Sequence, residues 1–146
     1  FVRTLCHRYL IVRSAWVYGI GRDFVSTVLN AAADPTCPWL AVPTDRFASP
    51  TSADDLTAAV EQLIDHDTLG IYHIVCQGRC SRYDFAQAIL KAAHMEDKLE
   101  LHPIRAADAG STPSYTVLDN LMLRLDNLPQ PRPWKEALNE YINSLQ

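Results

Sequence analysis

The sequence predicts an α/β fold with parallel strands. Residues 9–13 and 70–75 are nearly unbroken apolar runs, the pattern of strands buried on both faces rather than on one. Between and after them lie stretches with helical spacing, each opened by a residue able to cap a helix. Strand, helix, strand, helix, strand, helix and then a mixed tail is the alternation that builds parallel sheets. At 146 residues the chain is expected to form one domain over 1–146.

The first strand, Tyr9 to Arg13, leads into a loop over 14–21 punctuated by Gly19 and Gly21. Asp23 caps a helix over 24–33 with Phe24, Val28 and Ala31 on its inner face, and Asp34-Pro35 ends it. Residues 39–42 form a short strand between Pro38 and Pro43. The polar stretch 44–51 reads as a loop. Ser52 or Thr51 then caps a helix over 53–65, with Asp54 and Asp55 beside its positive end and Leu56, Val60, Leu63 and Ile64 inward. Residues 70–75 are the clearest strand. Ser81 and Asp84 make a capping box for a helix to about Ala93, burying Phe85, Ala88, Ile89 and Ala92. A strand over 99–104, a loop over 105–114 and an extended stretch at 115–118 follow. Asp119 is placed to cap a short helical turn. After the connector 127–133, Pro133 starts a closing helix over 134–144.

Composition excludes several classes of function. Apolar residues make up 48% of the chain and charged residues 21%, so a core forms without disulfides or metal staples. No apolar run approaches the roughly 20 residues that cross a bilayer as a helix. The net charge is −4, with only three lysines and no basic stripe, which argues against nucleic acid and against anionic membranes as partners. Cys6, Cys37, Cys76 and Cys80 follow no secretion signal, so free thiols and a cytoplasmic location are expected. The chain starts at Phe1, and a parallel strand as early as Tyr9 needs a neighbour reached by a crossover. It is therefore expected to be the C-terminal part of something longer.

The usual catalytic motifs are missing from these 146 residues. There is no G-x-G-x-x-G, no P-loop and no G-x-S-x-G elbow. The five histidines show no zinc-binding spacing, Cys76 and Cys80 lack a second ligand pair, and His73 reads as a half-buried strand residue. Positions 87, 94 and 131, each four before a lysine, are Gln, His and Pro, so no Tyr-x-x-x-Lys pair is present.

Six stretches nevertheless carry a resemblance. YLIVRSAWVYG at 9–19 is similar to LIVRTSWVYG of the dTDP-4-dehydrorhamnose reductases, a branch of the extended short-chain dehydrogenases. RDFVSTVL at 22–29, TDRFASPTSADDLTAAV at 44–60 and GIYHIVCQGRCSRYDFAQAIL at 70–90 resemble the family's NFVKTML, DQxGSPTYxxDLAxAI and GIYHLSNEGxCSWYEFAxxI. YTVLDNLML at 115–123 is near YSVLDNxKL, and PWKEALNEYI at 133–142 completes the family order. The resemblance implies the C-terminal part of a Rossmann-like fold with a small mixed α/β lobe that holds the sugar nucleotide. It places the NADPH (or NADH) site and the Tyr-x-x-x-Lys pair in an N-terminal half that this chain lacks. It also implies the activity of the intact enzyme, hydride transfer to the 4-keto carbon of dTDP-4-dehydro-L-rhamnose.

Carried over residue by residue, the resemblance gives Trp16 the role of packing against the deoxysugar. An indole face suits an amphipathic 6-deoxyhexose, and Trp16 follows a strand, where sites in open α/β sheets collect. Arg13 and Ser14 either border the nicotinamide side of the pocket or are structural strand residues. Asp23-Phe24 stands where the family has Asn-Phe; Asp23 reads as a cap and Phe24 as a pocket wall. Asp45-Arg46 matches Asp-Gln, and Arg46 reads equally as a partner of the diphosphate or thymine and as a solvated arginine. Ser49, with Pro50 and Thr51, shapes the turn, with ligand contact the lesser reading. Thr112 replaces a basic residue before Pro113, and Arg105 or Arg46 could compensate. Tyr115 reads as a core strand residue. Three rivals stay open: a regulatory subunit like that of methionine adenosyltransferase, an epimerase or reductase acting on another nucleotide sugar, and an isolated interaction module. A homodimer is also left open.

Overall fold

Distant parts of the chain are joined chiefly by parallel strand pairs in the computed structural model, which describes residues 1–106 and 115–145. Strand β1 (Leu10–Arg13) runs parallel to β6 (Gly70–His73), in register from Leu10 opposite Gly70 to Arg13 opposite His73. Strand β3 (Trp39–Pro43) pairs in parallel with β8 (Glu100–Ile104). Two-residue strands complete the framework. β2 (Val17–Tyr18) lies parallel to β5 (Thr51–Ser52), and β4 (Phe47–Ala48) sits between antiparallel β7 (Cys80–Ser81) and parallel β9 (Tyr115–Thr116). The helices are α1 (Val2–Leu5), α2 (Phe24–Ala33), α3 (Ala53–Asp65), α4 (Arg82–Ala92), α5 (Leu121–Leu125) and α6 (Trp134–Ser144).

Caps fix the helix starts. Asp23 accepts from the Ser26 amide at 2.7 Å while Ser26 Oγ accepts from the Asp23 amide, a closed capping box. Ser81 and Asp84 close a second one on α4, and Ser52 accepts from the Asp54 amide to start α3. Each such cap stabilises its helix by about 1 kcal/mol. The main core gathers Val25 and Val28 of α2, Phe85 and Ile89 of α4, and Leu138 and Ile142 of α6. A second cluster, Leu63, Tyr72, Ile74 and Leu123, joins α3 and α5 to the β1–β6 pair.

Several expectations are corrected. The inner face of α2 is Val25, Val28 and Ala32, one residue round from the predicted stripe, because the main core lies against α4; Phe24 and Ala31 pack at its margin. On α3 the small Ala59 is buried and Ile64 faces solvent, because a residue without bulk lets the helix sit close on the sheet. Helix α4 buries Ala86 and Leu90 besides Phe85 and Ile89, and leaves Ala88 and Ala92 partly exposed. The stretch read as a loop at 44–51 contains β4 and begins β5, whose partners are remote in sequence. Tyr115 is exposed on a sheet edge, where its hydroxyl accepts from Arg79 at 2.8 Å. Asp119 does not cap α5. Asn120 holds the N-cap position, and Asp119 instead takes a bidentate grip from Arg124 at 2.7 and 2.8 Å. That guanidinium holds the Asp119 carboxyl below the usual carboxylate range. The substitution at Thr112 and most of the loop predicted at 105–114 lie outside the described residues.

Candidate functional site

The C-terminal end of β1 runs into Ser14, Ala15 and Trp16, and Trp16 bends the chain with φ of 42°. A bulky residue in the left-handed region is costly, and such strain persists only where the surroundings impose it. Here the Trp16 carbonyl accepts from the Thr51 amide at 3.2 Å, and its ring stacks on Phe85 with centroids 6.3 Å apart. Phe24, set in place by the Asp23 cap, packs on the same Phe85 at 5.8 Å. Trp16 and Phe24, both remote in sequence from Phe85, are thus brought together by α4.

Arg82 completes this group. Its guanidinium carbon lies 3.9 Å from the Trp16 ring centroid and 4.3 Å from that of Phe24. Cation–π contact of this kind contributes on the order of 1 kcal/mol. Burial first, and the nearby charge of Arg46 second, lower the Arg82 pKa to about 10. Among the described residues no carboxylate pairs with it.

Asp45 and Arg46 both engage Ala106. Asp45 Oδ1 accepts the Ala106 amide at 2.7 Å, and Arg46 Nη2 donates to the Ala106 carbonyl at 3.3 Å. The Arg46 carbonyl also accepts the Arg82 amide at 2.8 Å, so the two arginines are coupled through the backbone. Ser49 is buried, donates to the Gly78 carbonyl at 2.7 Å and borders a cavity of about 370 Å³ with Gly78, Arg79 and Asn120. Arg13 is exposed at the end of β1. Ser14 Oγ is buried without a hydrogen-bond partner among the described residues. Such orphans are uncommon and costly, and this one lies at a strand C-terminus, where ligands of open α/β sheets bind. The sequence holds no glycine-rich loop for a dinucleotide phosphate.

The Gly19 loop behind Trp16 is clamped from two sides. Its amide donates to Asp23 Oδ2 at 2.8 Å, and its carbonyl accepts from the Tyr141 hydroxyl at 2.6 Å. A β-carbon at Gly19 would meet that of Ala53 at 2.8 Å, so the position needs glycine. Arg132 bridges Asp55 and Glu140, tying α3 to α6. The described residues hold no group of three His, Cys, Asp or Glu placed for a metal ion, and no helix among them is long and apolar enough to cross a membrane.

Comparison with known proteins decides the family. Residues 1–146 match the profile of the RmlD substrate binding domain. The chain belongs to this family. A dTDP-4-dehydrorhamnose reductase of Clostridium acetobutylicum superposes with a TM-score of 0.92 at 38% identity, covering 99% of this chain and 51% of that one. The reductase of Bacillus anthracis, solved in complex with NADP, gives a TM-score of 0.92 at 30% identity, with coverage of 99% and 51%. The spore coat polysaccharide biosynthesis protein SpsK of Bacillus subtilis is 38% identical over 134 residues, 90% of this chain and 46% of that protein. The RmlD-type chain thus spans about half the length of the relatives it matches. The extended short-chain dehydrogenase fold expected from the sequence is the fold of these neighbours.

In this RmlD-type domain the carboxylate of Asp23, which replaces the family's asparagine, is consumed by the Ser26 and Gly19 amides. Sequence reading passed over Arg82. Its cue was available, since the family pattern quoted above carries Trp between Ser and Tyr where this chain has Arg82. Asn120 was missed for a different reason. It is buried, accepts the Val75 amide at 2.9 Å and donates to the Val75 carbonyl at 2.8 Å, and no local pattern announces such a long-range bond.

Proposed function

We propose that this chain supplies the sugar-nucleotide pocket of an enzyme that reduces dTDP-4-dehydro-L-rhamnose to dTDP-L-rhamnose. The observation that carries the reading is the strained Trp16, held at the end of β1 within an aromatic group beside two arginines. A deoxysugar packs its apolar face on indole, and cations nearby suit a diphosphate. The partner of this pocket is an N-terminal half that carries NADPH and a tyrosine proton donor. NADPH supplies the hydride. This chain's residues bind and orient the sugar, with Trp16 and Phe24 as walls and Arg13 and Ser14 on the cofactor side. The NADP complex of the B. anthracis relative supports the cofactor, and the name of the B. subtilis relative supports a product bound for surface polysaccharide.

The test is NADPH oxidation, followed by absorbance, in the longer protein that carries this chain, with dTDP-4-dehydro-L-rhamnose as substrate. Turnover with this sugar nucleotide, and much slower turnover with UDP-linked 4-keto sugars, is the expected result. Tight binding without turnover would instead favour a regulatory subunit.

A further inference from the structure

Arg82 is oriented in a way that stability alone does not require. A guanidinium stacked by its face leaves its N–H groups around the rim, in the plane of the fork. The guanidinium carbon lies over both the Trp16 and the Phe24 ring, 3.9 and 4.3 Å from their centroids. The rim donates no side-chain hydrogen bond and meets no carboxylate among the described residues. Acidic residues that could have neutralised it are engaged elsewhere: Asp23 with the Gly19 and Ser26 amides, Asp84 with the Ser81 amide, and Asp45 with the Ala106 amide. A partly desolvated cation, held rigid and left without a counter-ion in a chain of net charge −4, is an unfavourable arrangement unless an anion completes it. The same aromatic pair that would wall a sugar pocket also aims this cation, so the anion lies next to the sugar.

We infer that Arg82 is a specificity-determining binding residue, stacked on Trp16 and Phe24 so that its planar fork grips the diphosphate of a nucleoside diphosphate. This rests on the proposed reading of the site and adds to it a residue that the family pattern does not supply. Because the indole carries the guanidinium and also stacks on Phe85, Arg82 sets how much of the Trp16 ring is left for the sugar. Lysine would keep the charge but lose both the flat stacking and the two-pronged donor geometry.

Calorimetric titration of the protein that carries this chain with dTDP, UDP, inorganic pyrophosphate and thymidine tests the inference. Methionine at this position keeps the stem and much of the packing. Arg82→Met is expected to weaken dTDP about 10- to 100-fold while shifting thymidine less than about threefold, and Arg82→Lys to weaken dTDP about tenfold. Equal weakening of dTDP and thymidine, or no weakening of either, overturns the inference and leaves Arg82 as packing. If the wild type prefers UDP to dTDP but still depends on Arg82, the inference stands and the thymidine-sugar reading falls. If the methionine variant does not fold, the lysine variant decides, since undiminished dTDP affinity there refutes a role for the fork. Failure of the wild type to bind dTDP, UDP or pyrophosphate also overturns it.

Discussion

Replacing Asn120 with leucine removes the two hydrogen bonds that hold the backbone at Val75, just past β6. The Asn120 amide accepts from the Val75 N–H at 2.9 Å and donates to its C=O at 2.8 Å, acting as a missing strand neighbour, and the residue is 4% exposed. Leucine is similar in volume but bonds to neither group. Leaving each buried backbone group unpaired costs about 1–3 kcal/mol, so the pair costs about 2–5 kcal/mol after leucine's own burial is credited. For a domain of about 150 residues each kcal/mol lowers Tm by about 2–4 °C, which gives a drop of roughly 4–20 °C. Urea unfolding should show a lower midpoint at unchanged slope, because the surface exposed on unfolding is nearly the same. Asn120→Asp, which sets a buried carboxylate against the Val75 carbonyl, should cost at least as much at neutral pH. A leucine variant within about 0.5 kcal/mol of wild type would show that Val75 finds other partners and would refute the reasoning.

Other consequences are open to simple assays. Asp23→Ala removes the α2 cap and the Gly19 clamp together and should cost about 1–2 kcal/mol in urea unfolding, whereas Asp23→Asn should recover part of it. The buried thiols Cys76 and Cys80 are pushed up to about 11 and about 12 by desolvation, so at pH 8 a thiol reagent should modify Cys6 at once and these two only on unfolding. Asp119 and Glu140 are held below the usual carboxylate range by Arg124 and Arg132 and so ionise more readily folded than unfolded. Their contribution is complete above the unfolded carboxylate range and is lost as pH falls through their lowered values, and unfolding free energy measured down the acid limb should decline accordingly. Arg132→Met should flatten the Glu140 part of that decline.

Local chemistry made much of this fold legible. The helices at 24–33, 53–65 and 134–144 have the bounds their caps and prolines predict, because Asp23, Ser52 and Pro133 act on the nearest turn. The strand at 10–13 was legible from its apolar run. What escaped was non-local. The pairings of β4 with β7 and β9 join residues dozens of positions apart, and two-residue strands carry no periodicity. On α2 the predicted Val28 is buried but its neighbours inward are Val25 and Ala32 rather than Phe24 and Ala31, because the core lies against α4, and on α3 Leu56, Val60 and Leu63 pack inward as predicted while Ile64 faces solvent. Family resemblance singled out Trp16 and Phe24, and the structure brings them together on Phe85. Asp45 and Ser49 were legible as residues but not as bonds, since Ala106 and Gly78 are far along the chain. Arg82 was open to notice as a departure from the family's Trp, but the two rings it lies over are placed only by the fold.

The most direct test of the central claim compares the affinities of dTDP-L-rhamnose and dTDP for the protein that carries this chain, before and after Trp16→Ala. If Trp16 is the wall for the sugar, the wild type binds dTDP-L-rhamnose more tightly than dTDP. The alanine variant then loses that margin, the deoxysugar contact being worth about 1–2 kcal/mol, while its dTDP affinity also falls because one of the two rings that hold Arg82 is gone. An unchanged margin in a folded Trp16→Ala variant would contradict the account.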